Sequence, residues 1–599
     1  MYQHRLHSSP EKKEENVLST RKDFIWKMGG QQGEGIESGG EILSNILAKQ
    51  GYSLFSQRLF ASRIKGGHTT FALRIALDTV NTIGSGVDCL VALDQETVDK
   101  HGSEVREGGV IICDSKANPD FSALEGTSVQ CLSLPISDTA VKHGTLQMKN
   151  IVALGMSVAV LGFPTEDFNA AIRAKFAKKA QSVIDSNIAA FEEGLALVQN
   201  SNITPMETLP QPEAKKQLFL LGNEATALGA VAAGSRYMAS YPITPASEVM
   251  EYMLKSMRKI GATIIQAEDE IGSCMAAMGG AYAGVRGFTC TSGPGLSLMA
   301  ESLSMAAMAE IPVVVIDVMR SGPSTGMATK VEQSDIMAAL YNAHGDYPHI
   351  VMAAASIEDS FYGIQEAFNA AEHFQCPVIF LTDLQQGLNK QTVPMFDLNR
   401  IPVDRGALMK EEDLPELAKN EYFKRFELTE SGISPRTIPG MKNGLFLSTG
   451  LEHTEEGKPA EAPSMHAAQS EKRFRKLEGA ADYVTPFFEN AESQDCDVLL
   501  ISMTSVNGAV EEAVEDLRAE GVKVNALQLR LVAPLPVAKL APFYDNAKKV
   551  LIVEQNVTGQ LANLFRMQMP NKEKIHSFTQ YSGNPVTKTE VVNAVKEVL

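Results

Sequence analysis

Short apolar runs alternate with helix-like stretches along most of the chain. In the middle of the sequence, five runs bounded by turn-forming residues have the length and composition of buried strands: 262–267, 287–291, 312–318, 349–354 and 377–382. Continuous apolar runs of this length are typical of parallel strands that are covered on both faces. The pattern predicts a doubly wound α/β sheet, with a helix at 225–239 on one side.

The N-terminal part begins with a strand-like run at 24–28, followed by a glycine-rich segment at 29–35 and a helix-like stretch at 36–51. This order is typical of Rossmann-type units and predicts a parallel α/β sheet. A long helix is expected at 169–198. The dinucleotide fingerprint is incomplete, because Ser38 stands where its third glycine belongs. A bare turn and an anion-binding turn therefore both stay open.

A chain of 599 residues is too long for one core and predicts about three or four domains. The clearest linker is the polar, proline-rich segment at 201–216. The predicted divisions are a tail at 1–22, a Rossmann-type domain at 23–200, that linker, a second α/β domain at 217–395, an irregular arm at 396–493 and a smaller α/β domain at 494–599.

Composition narrows the class of protein and its compartment. The net charge of −18 disfavours nucleic acid as a partner, because phosphate binding needs a basic face. No apolar stretch is long enough for a signal sequence or a membrane span, so we expect a cytoplasmic protein. The seven cysteines show no C-x-x-C spacing and indicate free thiols in a reducing compartment. An iron–sulfur cluster held by this chain alone is therefore not expected.

Two acids stand before a helix-like stretch of very small residues. Glu268 and Glu270 precede 271–283, which is rich in glycine, alanine, serine and methionine. Glu270 at such a helix N-terminus is stabilised by the helix dipole, and a helix cap is one interpretation. The small residues allow another surface to approach closely, so Glu270 is also a candidate to share a proton with a buried ring nitrogen.

Other candidate residues flank this segment. Thr244 stands before a proline, which restricts its backbone and helps to fix its hydroxyl direction. Lys330 follows a small-residue loop at 322–329 and is a candidate to meet a substrate carboxylate. Arg63 and Lys65 precede two glycines and are candidates to reach an anionic group across an interface. Each also has a plain interpretation, as a helix cap for Thr244 and as solvated cations for the others.

Several segments in order resemble the 2-oxoacid:ferredoxin oxidoreductases, in the form of an alpha subunit with a gamma domain fused at its N-terminus. The resemblance is closest to 2-oxoglutarate:ferredoxin oxidoreductase and covers almost the whole chain after the tail. The segments that carry it are Tyr241-Pro-Ile-Thr-Pro, Glu268-Asp-Glu, Thr291-Ser-Gly-Pro-Gly, Glu332-Gln-x-Asp, Ser434-Pro-Arg-x-x-Pro-Gly and Thr449-Gly-Leu-Glu-His.

The resemblance implies a thiamine diphosphate enzyme in which 217–395 is the pyrimidine-binding domain and 494–599 is similar to a transketolase C-terminal domain. It implies that Glu270 contacts the aminopyrimidine ring and promotes ylide formation, and that Thr244 contacts the 2-oxoacid. Lys330 stands where the family often has an arginine for the substrate carboxylate. Lys65, with Arg63 as an alternate, matches an arm that approaches the substrate. The implied cofactor-binding residues are Glu270, Tyr241, Pro242, Ile243, Gly293 and Pro294.

The resemblance also implies a divided enzyme. This chain lacks a Gly-Asp-Gly motif for Mg²⁺ and diphosphate, and it lacks a cysteine cluster for a [4Fe–4S] centre. Both are expected on a beta subunit, in an (αβ)₂ assembly that uses coenzyme A and passes electrons to ferredoxin. The sequence leaves open pyruvate, branched-chain or aryl 2-oxoacids as substrates. Two other functions also stay open: a nicotinamide dehydrogenase that uses the glycine-rich segment, and a non-catalytic scaffold or regulatory subunit.

Overall fold

A computed structural model describes residues 22–60, 67–204 and 206–599. These residues form twenty strands and twenty α-helices, in keeping with the predicted α/β class. The strands are β1 (Asp23–Gln31), β2 (Ser53–Leu59), β3 (His68–Ala76), β4 (Val87–Ala92), β5 (Val105–Asp114), β6 (Gln130–Leu134), β7 (Gln217–Leu221), β8 (Tyr237–Ser240), β9 (Thr263–Gln266), β10 (Gly287–Thr291), β11 (Val314–Met319), β12 (Ile350–Ala353), β13 (Val378–Asp383), β14 (Lys390–Pro394), β15 (Phe487–Asn490), β16 (Cys496–Ser502), β17 (Val524–Leu529), β18 (Leu531–Ala533), β19 (Ala547–Glu554) and β20 (Ile575–Thr579).

The helices pack on the faces of the sheets and between them. They are α1 (Ile36–Lys49), α2 (Gln95–His101), α3 (Ile136–His143), α4 (Lys149–Leu161), α5 (Glu166–Lys175), α6 (Gln181–Gln199), α7 (Gly222–Ala232), α8 (Ser247–Ser256), α9 (Glu270–Tyr282), α10 (Gly293–Leu298), α11 (Ala300–Met308), α12 (Ile336–Tyr341), α13 (Ile357–Phe374), α14 (Leu384–Leu388), α15 (Pro463–Arg475), α16 (Ala480–Tyr483), α17 (Val506–Ala519), α18 (Val537–Asn546), α19 (Gln560–Gln568) and α20 (Lys588–Val598). None of the helices in the described residues combines the length and apolar composition that a membrane crossing requires.

The first sheet has eight strands in the order β6-β5-β4-β1-β3-β2-β14-β7. The prediction of a parallel sheet for the N-terminal part is wrong in half of this sheet, because β1, β2 and β3 pair antiparallel. The connection from β2 to β3 is too short to cross over for parallel pairing. At the far edge, β14 pairs with both β2 and β7. Two strands from the predicted second domain therefore complete the sheet of the first.

The second sheet has the order β18-β12-β13-β11-β10-β8-β9. The prediction of a doubly wound sheet here is confirmed, since all strands from β8 to β13 pair in parallel and only β18 is antiparallel to its neighbour. Apolar side chains of β11, β12 and β13 pack on helices of both faces. The prediction that 262–267 is a buried strand is wrong, because β9 lies at the edge of the sheet and three of its four residues are exposed. The parallel strands place their carboxyl ends at one common edge.

The third sheet has the order β15-β17-β16-β19-β20. It is joined to the second sheet without a linker, because β17 ends at Leu529 and β18 begins in the second sheet at Leu531. Arg530 between them is fully buried. Its guanidinium pairs with Asp359 at 2.9 Å and with Glu366 at 2.8 Å. The last two sheets are thus connected by one uninterrupted, charge-anchored segment.

Two predicted helices differ from the structure. The helix expected at 169–198 is two helices, α5 and α6, whose apolar residues Phe168 and Phe191 stack in one core. The break between them lets both helices bury an apolar face. The helix expected at 225–239 ends at Ala232, because Gly234 adopts a left-handed φ of 85° and the chain continues as β8.

The predicted arm at 396–493 is irregular over most of its length but contains α15 and α16. It is fastened to the second sheet's helices by buried ion pairs. Glu310 is fully buried between Lys472 at 2.6 Å and Lys476 at 3.0 Å. Glu372 receives Arg286 and Arg436 in the same way. Because the charges are paired within the interior, the arm is an integral part of the core rather than a loose connection.

Candidate active site

The candidate residues of the second domain gather at the carboxyl edge of the second sheet. Tyr241 to Pro245 follow β8, Glu268 and Asp269 follow β9, and the Gly293-Pro294-Gly295 segment opens α10 after β10. The loops that follow neighbouring parallel strands meet at one edge, which is where ligands bind in open α/β sheets. The fold therefore brings together three segments that are spread over residues 241–295 of the sequence.

Glu270 is the first residue of α9 and is only 7% exposed, whereas Glu268 two residues earlier is exposed. Asp269 caps the helix, since its Oδ1 accepts from the Gly272 N–H at 2.7 Å. The cap leaves the Glu270 side chain free for another role. Within the described residues, no hydrogen bond or ion pair to the Glu270 carboxylate is recorded. A sheltered carboxylate with open bonding capacity at a helix N-terminus is suited to bind a polar ligand.

The backbone of α10 lies directly against Glu270. A Cβ atom at Gly295 would stand 2.0 Å from Thr291 Oγ1 and 2.6 Å from Glu270 Cγ. At Gly293, a Cβ atom would stand 2.6 Å from Asp335 Oδ1. The two glycines therefore let the α10 backbone fit between Glu270 on one side and Asp335 on the other.

Replacing Gly295 by alanine is expected to destabilise the chain by about 1–3 kcal/mol, because Thr291 and Glu270 must both move to admit a methyl group. Thermal unfolding of the purified full chain measures the change. Gly279 in α9 is the matched control, since a Cβ there meets nothing within 4 Å and alanine favours a helix. A Gly295→Ala variant as stable as Gly279→Ala would contradict the tight contact.

Asp317, which is fully buried, and Asp335, which is half-buried, form an acid pair behind α10. Both carboxylate oxygens of Asp317 lack a hydrogen-bond partner in the described part of the chain. Burial and the neighbouring Asp335 raise the pKa of Asp317 well above its usual range. Burial also raises the pKa of Asp335 to about 6, although Arg320 and the Gly293 N–H oppose the rise. The pair therefore retains a proton at mildly acid pH.

This raised pKa predicts a pH dependence of stability. The folded chain keeps the Asp335 proton that the unfolded chain loses above about pH 4, so the contribution of Asp335 to stability falls as pH rises to about 6 and then levels off. Asp335→Asn is expected to remove this contribution from the profile and to be more stable than the parent at pH 7 by about 1–3 kcal/mol. Melting temperatures between pH 4.5 and 7.5 test it.

The control for this profile is Asp346→Asn, which removes an exposed carboxylate. Its melting temperature is expected to change with pH in the same way as that of the parent. A pH profile of Asp335→Asn that coincides with that of the control would show that Asp335 carries no excess proton in the folded chain.

Arg320 is a site residue that the sequence analysis missed. It follows β11, is 7% exposed, and donates to the Thr244 carbonyl at 2.6 Å and to the Thr325 carbonyl at 3.2 Å. Burial lowers the pKa of its guanidinium. Arg320 thus ties the loop that carries Thr244 to the small-residue loop before Lys330. Its only signal in the sequence is a cation directly after a buried strand.

The remaining predicted residues are placed around these loops. Thr244, Pro242, Ile243 and Pro294 are half-buried, Gly293 is buried and Tyr241 is 38% exposed. Lys330 is half-buried, and its backbone closes the loop through bonds with Ser321 and Met327. No partner of its ammonium group is recorded in the described residues. Arg63 and Lys65 lie outside the residues that the structure describes.

The glycine-rich segment of the first domain differs from a phosphate-binding turn. Gly29 and Gly30 belong to β1, and only Gly33 and Gly35 form a turn with positive φ. The Glu34 carboxylate fills the turn, where it accepts from the Gln31 N–H and pairs with Lys149 at 2.6 Å. An acid in this position disfavours the phosphate of a nicotinamide dinucleotide.

Comparisons with known proteins agree across all three sheets. The model of the family described as "Pyruvate ferredoxin/flavodoxin oxidoreductase" matches residues 25–197. The model described as "Pyruvate flavodoxin/ferredoxin oxidoreductase, thiamine diP-bdg" matches residues 228–472, which include the candidate site. "Pyruvate:ferredoxin oxidoreductase core domain II" matches residues 496–591.

Curated relatives match nearly the whole chain. A 2-oxoacid:ferredoxin oxidoreductase subunit alpha of Aeropyrum pernix is 33% identical, over 96% of this chain and 98% of its own. The 2-oxoglutarate oxidoreductase subunit KorA of Mycobacterium tuberculosis is 31% identical, over 94% of this chain and 88% of that subunit. The solved 2-oxoglutarate:ferredoxin oxidoreductase of Magnetococcus marinus, with 2-oxoglutarate, coenzyme A and succinyl-CoA bound, is 34% identical with a TM-score of 0.90 over 96% of this chain and 100% of that chain. The chain therefore belongs to the alpha subunits of the 2-oxoacid:ferredoxin oxidoreductases, the family that its motifs predict.

Proposed function

We propose that this chain, with a beta subunit, catalyses the coenzyme A-dependent oxidative decarboxylation of 2-oxoglutarate or a related 2-oxoacid. The products are an acyl-CoA, carbon dioxide and two reduced ferredoxins, each ferredoxin taking one electron. The observation that carries the proposal is the sheltered carboxylate of Glu270, which has no partner among the described side chains and lies within the match to a thiamine diphosphate-binding family model. The 2-oxoglutarate bound to the Magnetococcus marinus enzyme supports the choice of substrate.

The residues fit the aminopyrimidine end of thiamine diphosphate. Glu270 presents a carboxylate without a hydrogen-bond partner in the described residues, and the missing side chain of Gly295 lets the α10 backbone lie directly against it. Thiamine diphosphate supplies the nucleophilic carbon and the electron sink for loss of carbon dioxide when it is bound. Glu270 shares a proton with a ring nitrogen, while Tyr241, Pro242, Ile243, Gly293 and Pro294 form the surrounding wall.

We assign recognition of the substrate to the hydroxyl group of Thr244 and to the side-chain cations named below. Thr244 Oγ1 orients the 2-oxo group, and the Lys330 ammonium meets the substrate carboxylate as a point charge. The Arg320 bond to the Thr244 carbonyl holds the first of these residues in place. Lys65, or Arg63, is proposed to meet the distal end of the substrate.

The diphosphate, Mg²⁺ and a [4Fe–4S] cluster are assigned to the beta subunit, in an (αβ)₂ assembly that works in the cytoplasm. The cysteines support this division, because all seven are free and burial raises the pKa of Cys274, Cys290 and Cys376 to about 12. The seven cysteines also lack the clustered spacing that such a centre needs. Electrons are therefore proposed to leave through the partner polypeptide.

The test is co-expression with the beta subunit and an assay of 2-oxoacids with coenzyme A and a viologen dye. We expect 2-oxoglutarate to give a higher kcat/KM than pyruvate, branched-chain or aryl 2-oxoacids. An assembled complex that contains thiamine diphosphate but reduces the dye with none of these substrates would contradict the function. The scaffold alternative predicts activity that survives simultaneous replacement of Glu270 and Lys330.

Replacing Lys330 by methionine is expected to raise the KM for the 2-oxoacid about 10- to 100-fold, since a charge-assisted hydrogen bond contributes roughly 1.5–3 kcal/mol. The kcat is expected to change less, because the charge binds substrate before and during the reaction. Steady-state kinetics of the complex measure both constants. Lys330→Arg should restore binding, and the exposed Lys419→Met is the control. An unchanged KM in Lys330→Met would remove this residue from substrate binding.

A further inference from the structure

A cluster of metal-ligating side chains lies in the first sheet, outside the site described above. His68 begins β3, Asp94 caps α2 and Glu96 is in the first turn of that helix. One nitrogen or oxygen atom from each residue lies within 4.8 Å of the other two. This spacing is close to that of ligands around one metal ion, for which bonds of about 2.0–2.2 Å are usual.

The glycines at the end of β1 bring these residues together. A Cβ atom at Gly29 would stand 2.6 Å from Thr97 in α2, and one at Gly30 would stand 2.9 Å from Leu93 Cβ. Because these positions carry no side chain, α2 packs tightly over β1 and its first turn reaches the beginning of β3. The two glycines therefore have a structural purpose that does not require a dinucleotide.

Two buried atoms in the cluster lack partners. His68 Nδ1 and Asp94 Oδ2 are inaccessible to solvent and have no hydrogen-bond partner in the described part of the chain. The other oxygen, Asp94 Oδ1, already accepts from the Thr97 N–H at 2.9 Å and from its hydroxyl at 2.6 Å. A buried polar atom without a partner costs about 1–3 kcal/mol, so a ligand that bonds His68 Nδ1 and Asp94 Oδ2 would be stabilising.

A chain of hydrogen bonds determines which atom of His68 carries a lone pair. Lys27 holds Glu104 as a carboxylate, and Glu104 Oε1 lies 2.7 Å from His101 Nδ1. With a proton on that nitrogen, neutral His101 accepts at Nε2, which lies 3.1 Å from His68 Nε2. His68 then donates from Nε2 and keeps a bare lone pair on Nδ1. Metal-bound histidines are oriented by such a donation from their second nitrogen.

A cation in this cluster would satisfy both unpartnered atoms. Asp94 and Glu96 supply two negative charges and His68 is neutral, so the set matches a divalent ion. Glu96 is exposed and its present partner is Lys100 at 2.6 Å, an exposed pair that is weak and readily displaced. The exposed side of Glu96 also provides the route of entry. We propose that His68, Asp94 and Glu96 bind one divalent transition-metal ion, for which Zn²⁺ is the probe.

The experiment is calorimetric titration of Zn²⁺ into untagged, chelator-treated full-length chain, with metal analysis after dialysis. We expect one tightly bound ion per chain and at least a roughly tenfold loss of affinity in each of three variants. Asp94→Asn keeps the helix cap but removes a charged ligand. His68→Phe keeps the ring that stacks on His101, and Glu96→Gln changes only an exposed side chain. Circular dichroism checks that each variant is folded.

The matched control is Asp99→Asn, which removes the same charge from the same helix at a residue that bonds only Gln95 among the described side chains. Its affinity for Zn²⁺ should equal that of the parent. Absence of stoichiometric binding by the parent chain would overturn the proposal. Equal binding by the parent and by folded Glu96→Gln and His68→Phe would overturn it as well. None of these readouts depends on catalytic turnover, so they are independent of the proposed function.

Discussion

Glu270→Gln is expected to lower the turnover of the assembled enzyme by about 100-fold or more, within the 10²–10⁴ range of general acid–base groups. The side chain keeps its shape, so the tight packing against Gly295 is retained. What is lost is the carboxylate that we propose exchanges a proton with the ring of the cofactor. Steady-state reduction of a viologen dye with saturating 2-oxoglutarate and coenzyme A measures the effect.

Glu268→Gln is the matched control, because Glu268 lies two residues away but is exposed. It is expected to retain near-parental turnover. Both variants should melt at the temperature of the parent and should assemble with the beta subunit. A folded Glu270→Gln complex that turns over as fast as Glu268→Gln would remove Glu270 from the mechanism.

Glu310→Gln is expected to lower the free energy of unfolding by about 3–5 kcal/mol, the range for removing one partner of a buried ion pair. Although burial opposes it, the ammonium groups of Lys476 and Lys472 hold the pKa of Glu310 below its usual range. Arg425 also donates to the backbone carbonyl of Glu310 at 2.7 Å. Without the carboxylate, these cations are buried with no counter-charge. Chemical denaturation of the full chain measures the loss.

The exposed Glu301→Gln in the neighbouring α11 is the control and should leave the denaturation curve unchanged. If Glu310→Gln fails to accumulate as folded protein, Glu310→Asp gives a milder test. The shorter acid keeps the charge but not both contacts, and we expect a smaller loss of stability. A Glu310→Gln chain as stable as Glu301→Gln would show that the buried charges are compensated elsewhere.

The sequence predicts those elements whose signals are local. The run at 287–291 matches β10 in both bounds, and the two acids before a small-residue stretch mark the beginning of α9. In each case the apolar run and its turn residues lie next to one another in the chain. The multidomain α/β class follows from the same alternation, and family membership follows from motifs that are contiguous in sequence.

Features that depend on distant segments could not be predicted. Asp317 and Asp335 are ordinary acids until the fold buries them beside one another. Arg320 becomes a site residue only through its bond to Thr244, which is 76 residues away. The addition of β7 and β14 to the first sheet likewise needs the assembled edge of β2. In all three cases tertiary contacts, rather than the local pattern, determine the outcome.

The direct passage from β17 to β18 has a consequence for how substrates enter. A hinge motion that separates the second sheet from the third would break both ion pairs of Arg530. It would also break the pairing of β18 with β12. The shared first sheet restrains the N-terminal unit in the same way. We therefore expect the proposed active site to open by movement between this chain and the beta subunit, and not by movement within this chain. Crosslinks placed inside the chain would leave the catalytic rate intact, whereas crosslinks to the beta subunit would slow it.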